Sequence, residues 1–289
     1  MQNWLWFLLL TILSLSLFFY NYHKIKSPRV LLFWLFISGL SYLLELIIFV
    51  VFDSYSYHPH VFADSFNDSV LGAITSQAFS VPIALTFISS SDFKLRWKAV
   101  FVAAFFLIEQ FFLYLGVYQH FWWRTWYTAI ILTIAIPLGR MWYISLEKAK
   151  SPRVYFITLF FVIYAILASL VWVLSSILNL LTMHPGWFEE ASRDNVLGFS
   201  IYLWIAAAFY TCVIFYQYGN IVLIVAAALF LFFMEQAMAS TGLLIFHPHW
   251  LIYLTPFVHV INMRLMGDIY KKHFPSFAFW HFKNSSIYK

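Results

Sequence analysis

Apolar stretches long enough to cross a bilayer recur nine times in this chain, and no other feature limits its fold so severely. A helix needs roughly 20 mainly apolar residues to span the hydrocarbon. Such runs lie near residues 3–22, 30–52, 68–90, 98–118, 125–146, 154–182, 195–217, 219–245 and 250–268. In lipid every backbone N–H and C=O needs an internal partner, which runs of this length and continuity achieve as helices. The sequence therefore predicts an all-α integral membrane protein with about nine transmembrane helices. Composition agrees: 63% of residues are hydrophobic and 10% charged, and the mean hydropathy is +0.81, far from soluble domains. The 13 Trp and 18 Tyr suit the two aromatic belts of a membrane. The first twenty residues, MQNWLWFLLLTILSLSLFFY, lack a basic leader and a small-residue cleavage site, so they are expected to stay as a first span.

Charge then sets an expected orientation. With the N-terminus outside, fifteen of the 17 Lys and Arg fall on inner segments, leaving only Arg124 and Arg193 on outer ones. That bias predicts a cytoplasmic C-terminus. The net charge of +5 is scattered through short loops and not clustered on a folded surface. It excludes a nucleic-acid-binding role and points to membrane lipids as the partner. Cys212 stands alone, so no disulfide can form within the chain.

The chain also repeats itself. Lys26-Ser27-Pro28-Arg29-Val30 returns as Lys150-Ser151-Pro152-Arg153-Val154, 124 residues on. His58-Pro59 returns as His184-Pro185, and Asp68-x-Val70-Leu71-Gly72 as Asp194-x-Val196-Leu197-Gly198, both at 126. Glu109-Gln110 and Glu235-Gln236 keep that offset, while Trp126 and Arg140 match Trp250 and Arg264 at 124. The expected organisation is a leading helix (1–25), two four-helix units (26–149 and 150–273) and a tail (274–289). An even number of helices per unit makes the units parallel repeats, not inverted ones. Histidines at 58, 120, 184 and 247 add a weaker half-period of about 63 residues.

A Glu in a helix with a Gly seven residues on (Glu109 to Gly116, Glu235 to Gly242), then His and Trp in the following turn, resembles a family of uncharacterised polytopic membrane proteins of spore-forming Gram-positive bacteria. The resemblance covers most of the chain and implies a bacterial cytoplasmic membrane location, but no activity. The chain departs from a fourfold pattern where Val171 stands in place of Glu45.

The acids are the candidate site. The run boundaries place Glu109 and Glu235 near the bilayer centre, with Glu45 a third acid of the same kind, and an ionisable group there is a functional-site hypothesis. One reading is a proton or cation relay, or a polar cradle for a substrate, between the units. The other is helix packing through hydrogen bonds to Gln110, Gln236, Ser or Tyr. Arg140 and Arg264, near inner helix ends, suit snorkelling to headgroups, or pairing with an acid or anionic ligand. His58, His60, His247 and His249, with His120 and His184, fall in outer turns; two His-Pro-His stretches could chelate a metal, but no local Cys or carboxylate completes a set, and the reading is of turns without metal. His259 is read as a helix-packing histidine, and Asp68 and Asp194 as N-caps.

No hydrolase, metalloprotease or nucleotide-binding motif occurs, and no cofactor is implied. The favoured role is small-molecule or ion handling, transporter-like, around Glu109 and Glu235. An intramembrane enzyme acting on a lipid or isoprenoid, and a non-catalytic sporulation or assembly component, are the alternatives. The first predicts a water-accessible path to an acid, the second a cavity open to lipid, and the third neither.

Overall fold

A computed structural model describes residues 2–148, 151–217 and 220–273. The chain is an all-α multi-pass membrane protein: among the described residues, eight helices are long and apolar enough to cross a membrane. They are α1 (Trp4–Ile25), α2 (Arg29–Val51), α3 (Ser65–Ser90), α4 (Leu95–Tyr114), α5 (Thr125–Glu147), α6 (Pro152–Ile177), α7 (Ala191–Gln217) and α8 (Ile221–Ser240). A ninth helix, α9 (Thr255–His273), occupies the last expected span. A 3-10 turn over His249–Leu254 takes up the apolar start of that run. What is left to α9 carries Arg264, Asp268, Lys271 and Lys272, too much charge for it to count with the eight.

The chain divides into two compact units, Met1–Lys148 and Ala149–Lys289, and α1 belongs to the first. In that first unit α3 is the hub, packing on α1, α2 and α5, while α4 packs on α5. Small buried residues on α3, Ser69, Gly72, Ala73, Ala78, Ser80 and Ala84, permit this close approach from several sides. In the second unit α7 plays the corresponding part, against α6, α8 and α9. There Ala206 and Ala207 of α7 and Ala228 of α8 are buried.

Each unit also holds a feature the apolar runs conceal, a short antiparallel ribbon after the helix that carries the acid. In the first unit β1 (Tyr55–Tyr57) pairs with β2 (Tyr118–His120), with Tyr55 opposite His120 and Tyr57 opposite Tyr118. In the second, β3 (Leu181–Met183) pairs with β4 (Leu244–Phe246) in the same register, each residue 126 positions later. The ribbon starts where a glycine ends the helix. Gly116 (φ 68°) donates its N–H to Leu113 O at 3.0 Å and Val117 donates to Phe112 O at 3.2 Å. This paired left-handed cap turns the chain back sharply, and a residue with a Cβ would be strained there. Gly242 (φ 76°) repeats it, with bonds to Ala239 O at 3.1 Å and from Leu243 to Met238 O at 3.0 Å. The Gly seven residues after each Glu is thus the residue that stops the helix.

The correspondence extends through both loops. Left-handed backbone recurs 126 residues apart at Asp53 and Asn179 and at His60 and Gly186. His58 N donates to Val117 O at 2.9 Å, and His184 N to Leu243 O at 2.8 Å. A methyl group added to Gly72 would collide with Tyr57, and one added to Gly198 with Met183.

Candidate functional site

Glu109 and Glu235 are each the fifteenth residue of a 20-residue helix, five before its last. At 1.5 Å per residue that is about 8 Å from the helix end. Each acid thus lies past the middle of its helix, because the glycine caps end α4 at Tyr114 and α8 at Ser240, and the apolar residues that prolonged both runs belong to the ribbons. Both acids sit under the ribbon of their own unit.

In the first unit the ribbon supplies polar side chains. His120 Nε2 lies 2.9 Å from Glu109 Oε1. Tyr55 donates its hydroxyl to Glu45 Oε2, on α2. The rings of Tyr55, Tyr57 and Tyr118 pack together, with centroids 4.6 to 5.7 Å apart. Burial pushes all three tyrosine hydroxyls well above their ordinary range, and the Glu45 charge adds to the effect on each. They therefore stay neutral hydroxyls and not phenolates. Burial also lowers the His120 imidazole below its ordinary value, against the attraction of Glu109.

Behind the ribbon lies a cavity of about 140 Å³ lined from five helices and both strands. Glu45 and Glu109 both reach its wall, with Tyr55, Tyr57 and Tyr118 on the ribbon side. On the α3 side the wall is a π-helical turn, Thr75–Ser80, in the middle of the span. A π turn widens the helix by one residue and is a frequent mark of functional sites. Here it presents Thr75, Ser76, Gln77 and Ser80 to the cavity. Glu45 is 8% exposed, and its Oε1 has no hydrogen-bond partner. Gln77 faces that carboxyl too, without completing a bond to Oε1.

The second unit encloses its acid differently. Tyr202, on α7, donates to Glu235 Oε1 at 2.5 Å, and His259 Nε2, on α9, lies 3.1 Å from the same oxygen. Tyr210 OH is 2.7 Å from His259 Nδ1. With its proton on Nε2 the imidazole donates to Glu235 and accepts from Tyr210, so one chain of hydrogen bonds ties three helices. His259 is thus the helix-packing histidine expected, buried and bonded at both ring nitrogens, and through Glu235 it also joins the acid site. The positions matching Glu45, Tyr55, Tyr57, Tyr118 and His120 are Val171, Leu181, Met183, Leu244 and Phe246. The matching stretch of α7 is ordinary α-helix.

Other expected site residues disperse. Gln110 donates to Thr125 Oγ1 at 2.7 Å, on α5, and so braces α4 and α5 without touching Glu109's carboxyl. Gln236 is half-buried on α8. Arg140 is half-buried and donates to Ser89 O at 2.9 Å, tying α5 to the end of α3; Arg264 is half-buried on α9. His58 Nε2 is 3.1 Å from Ser56 Oγ, and His60 Nδ1 is 3.2 Å from Asn3 Nδ2. His184, His247 and His249 are exposed. Among the described residues no three His, Cys, Asp or Glu come together as a metal set.

Asp68 and Asp194 are corrected from N-caps. Helix α3 begins three residues earlier than the sequence suggests, and Asp64 caps it by accepting from Asn67 N at 2.7 Å. Asp68, inside the first turn, accepts from the backbone N–H groups of His60, Val61 and Phe62 at 2.9, 2.7 and 3.0 Å. Asp194 does the same for Gly186, Trp187 and Phe188 at 2.8, 2.8 and 3.1 Å. Each carboxylate fastens the loop between ribbon and helix, and so holds the ribbon over its acid.

No protein-family model, curated protein or solved structure matches the chain.

Proposed function

We propose that this membrane protein handles a small molecule or ion at the cavity of its first unit, in the manner of a transporter or a membrane-embedded binding protein. One observation carries the reading. Glu45 is a buried acid whose Oε1 is unpartnered on the wall of a 140 Å³ cavity. Leaving such an oxygen unsatisfied costs on the order of 1–3 kcal/mol, more if it is charged, and a ligand that donates a hydrogen bond removes the cost.

The second unit argues against packing alone. It builds the same ribbon, caps and loop clamps with Val171, Leu181, Met183 and Leu244 where the first has Glu45 and three tyrosines. The fold does not need the polar set, so the set has another use. The recurrence of these features at 126 residues also supports descent of the two units from a duplicated ancestor, and the family resemblance supports a bacterial cytoplasmic membrane, with the N-terminus outside and the C-terminus in the cytoplasm by the charge bias.

Thiol accessibility in membrane vesicles tests the reading. In a Cys212→Ser background, a Ser76→Cys variant should react with a small neutral methanethiosulfonate at a rate far above that of a thiol packed in a helix interface. A thiol at Ser76 as inert as the interface control would end the proposal that the cavity receives a ligand from water.

A further inference from the structure

The chemistry of the wall restricts what the cavity accepts. Its lining carries two carboxyl groups, Glu45 and Glu109, and among the described residues no Lys, Arg or His. An anion would face two acids with no cation to hold it, and is excluded on charge. A hard divalent cation takes six to eight oxygen ligands, several of them carboxylate. Here two carboxyls are the only His, Cys, Asp or Glu side chains on a wall otherwise made largely of Phe, Leu, Ile, Tyr and Trp. Glu109 already has His120 at 2.9 Å.

An organic cation fits where those do not. Aromatic rings attract cations through their electron-rich faces, and Tyr55, Tyr57, Tyr118 and Trp123 all contribute to the wall. The apolar remainder would take an alkyl body. The unpartnered acceptor, Glu45 Oε1, then chooses among organic cations, because it needs a hydrogen-bond donor. A primary ammonium brings three N–H groups, one for Oε1 and others for hydroxyl and amide oxygens of the π turn such as Thr75 and Gln77. A quaternary ammonium brings none. Size sets the last limit: a cavity of 140 Å³ holds a compound of about six non-hydrogen atoms, as engineered cavities of about 150 Å³ hold benzene.

The geometry points to a small primary alkylammonium as the ligand of the first unit, its nitrogen on Glu45 and its alkyl chain among the aromatic residues under the ribbon. This rests on the reading of the cavity as a ligand site. Glu235 also keeps one buried oxygen, Oε2, without a hydrogen-bond partner, but it does not line this cavity and plays no part in the assignment.

Four probes of similar size or simpler charge separate the possibilities: n-butylammonium, 1-butanol, tetramethylammonium and sodium. Each is added to the purified full chain in lipid nanodiscs, with the Cys212→Ser and Ser76→Cys changes, and the rate of thiol modification is followed. Butylammonium should slow modification at concentrations at least about tenfold below any other probe, the factor expected of one charge-assisted hydrogen bond. Glu45→Gln should raise the butylammonium concentration required by about tenfold or more, and Glu235→Gln should leave it unchanged. Equal protection by butanol would reduce the cavity to an apolar void. Equal protection by tetramethylammonium would remove the role of Glu45 Oε1, and equal protection by sodium would make the ligand an inorganic ion. A reactive thiol that no probe protects overturns the ammonium assignment while the ligand-site reading stands, whereas an unreactive thiol overturns both. The probe series is read with Glu45 in place, so it decides the matter even if Glu45→Gln fails to fold.

Discussion

The two units build one architecture and give it different interiors. Each ends its acid-bearing helix on a left-handed glycine, lays a ribbon back over the acid and fastens the next loop through three N–H groups to one aspartate. In the first unit the ribbon is Tyr-Ser-Tyr against Tyr-Gln-His, and behind it lie a π turn and a cavity. In the second the ribbon is Leu-Thr-Met against Leu-Ile-Phe, and Glu235 is held by side chains from α7 and α9. What the units share is what the fold requires. Each unit also leaves one buried carboxyl oxygen open, Glu45 Oε1 and Glu235 Oε2. What sets the first apart, Glu45 on a cavity wall under three tyrosines where the second has Val171, Leu181, Met183 and Leu244, is a candidate for function on that ground.

The largest effect should fall on a shared part. Asp68→Ala and Asp194→Ala each strand three backbone donors, at sites 4% and 3% exposed, and each should cost on the order of 3 kcal/mol or more. Unfolding of the purified variants in detergent measures this. A marked inequality between the two would mean that the loops are not equivalent supports.

A smaller effect should separate the units. Gly72→Ala drives a methyl group into Cβ of Tyr57, which the ribbon backbone holds in place, whereas at Gly198 the obstacle nearest the new methyl is the Met183 thioether, 2.7 Å away. Overpacking against an unyielding neighbour costs about 1–3 kcal/mol, and a flexible methionine relieves much of it. Gly72→Ala should therefore be the more damaging, and the reverse order in the same unfolding assay would contradict the packing assigned to the two ribbons. Tyr202→Phe should follow, at about 1–2 kcal/mol, for a buried carboxylate losing a donor. That loss should appear in stability alone and leave the first-unit cavity unaffected.

The smallest effect is a pH dependence set by His120 of the first unit. Burial lowers His120 below its ordinary value of 6.5, with Glu109 opposing the shift and Arg124 reinforcing it. The unfolded chain then binds the proton more readily than the folded one, so this contribution to stability is complete above the ordinary value and is lost as pH falls through the lowered one. His120→Gln should flatten the acid limb of the stability profile; the matching position of the second unit is Phe246. An acid limb that stays as steep in His120→Gln would assign the titration to another group.

Much of this architecture is legible in the sequence. Helix number follows from run length, and Glu109, Glu235 and Glu45 stand out because an acid in an apolar run is costly. Their distance from the helix ends is not legible, since Val117-Tyr118 and Leu243-Leu244 are as apolar as the helices they follow. Only the paired carbonyl bonds of the glycine caps show where α4 and α8 stop. The ribbons are three residues long and leave no alternating pattern to find. The convergence of Glu45, Tyr55, Tyr57, Tyr118 and Glu109 is tertiary, set by strand register and by the packing of α2 and α4 around α3. One signal was present: TSQAFS, residues 75–80, is the polar interruption of the third span, against IYLWIA at 201–206, and it becomes the π turn on the cavity wall.

The difference in interiors is tested most directly by one pair of thiols. Ser80, on the cavity wall, and Ala206, buried to 1% exposure, are small residues 126 positions apart on α3 and α7. With Cys212→Ser in place, Ser80→Cys should react with a small neutral methanethiosulfonate in intact vesicles, and Ala206→Cys should stay inert until the protein is unfolded. Equal reactivity at the two positions, or reaction at Ala206→Cys alone, would contradict a ligand cavity that belongs to the first unit.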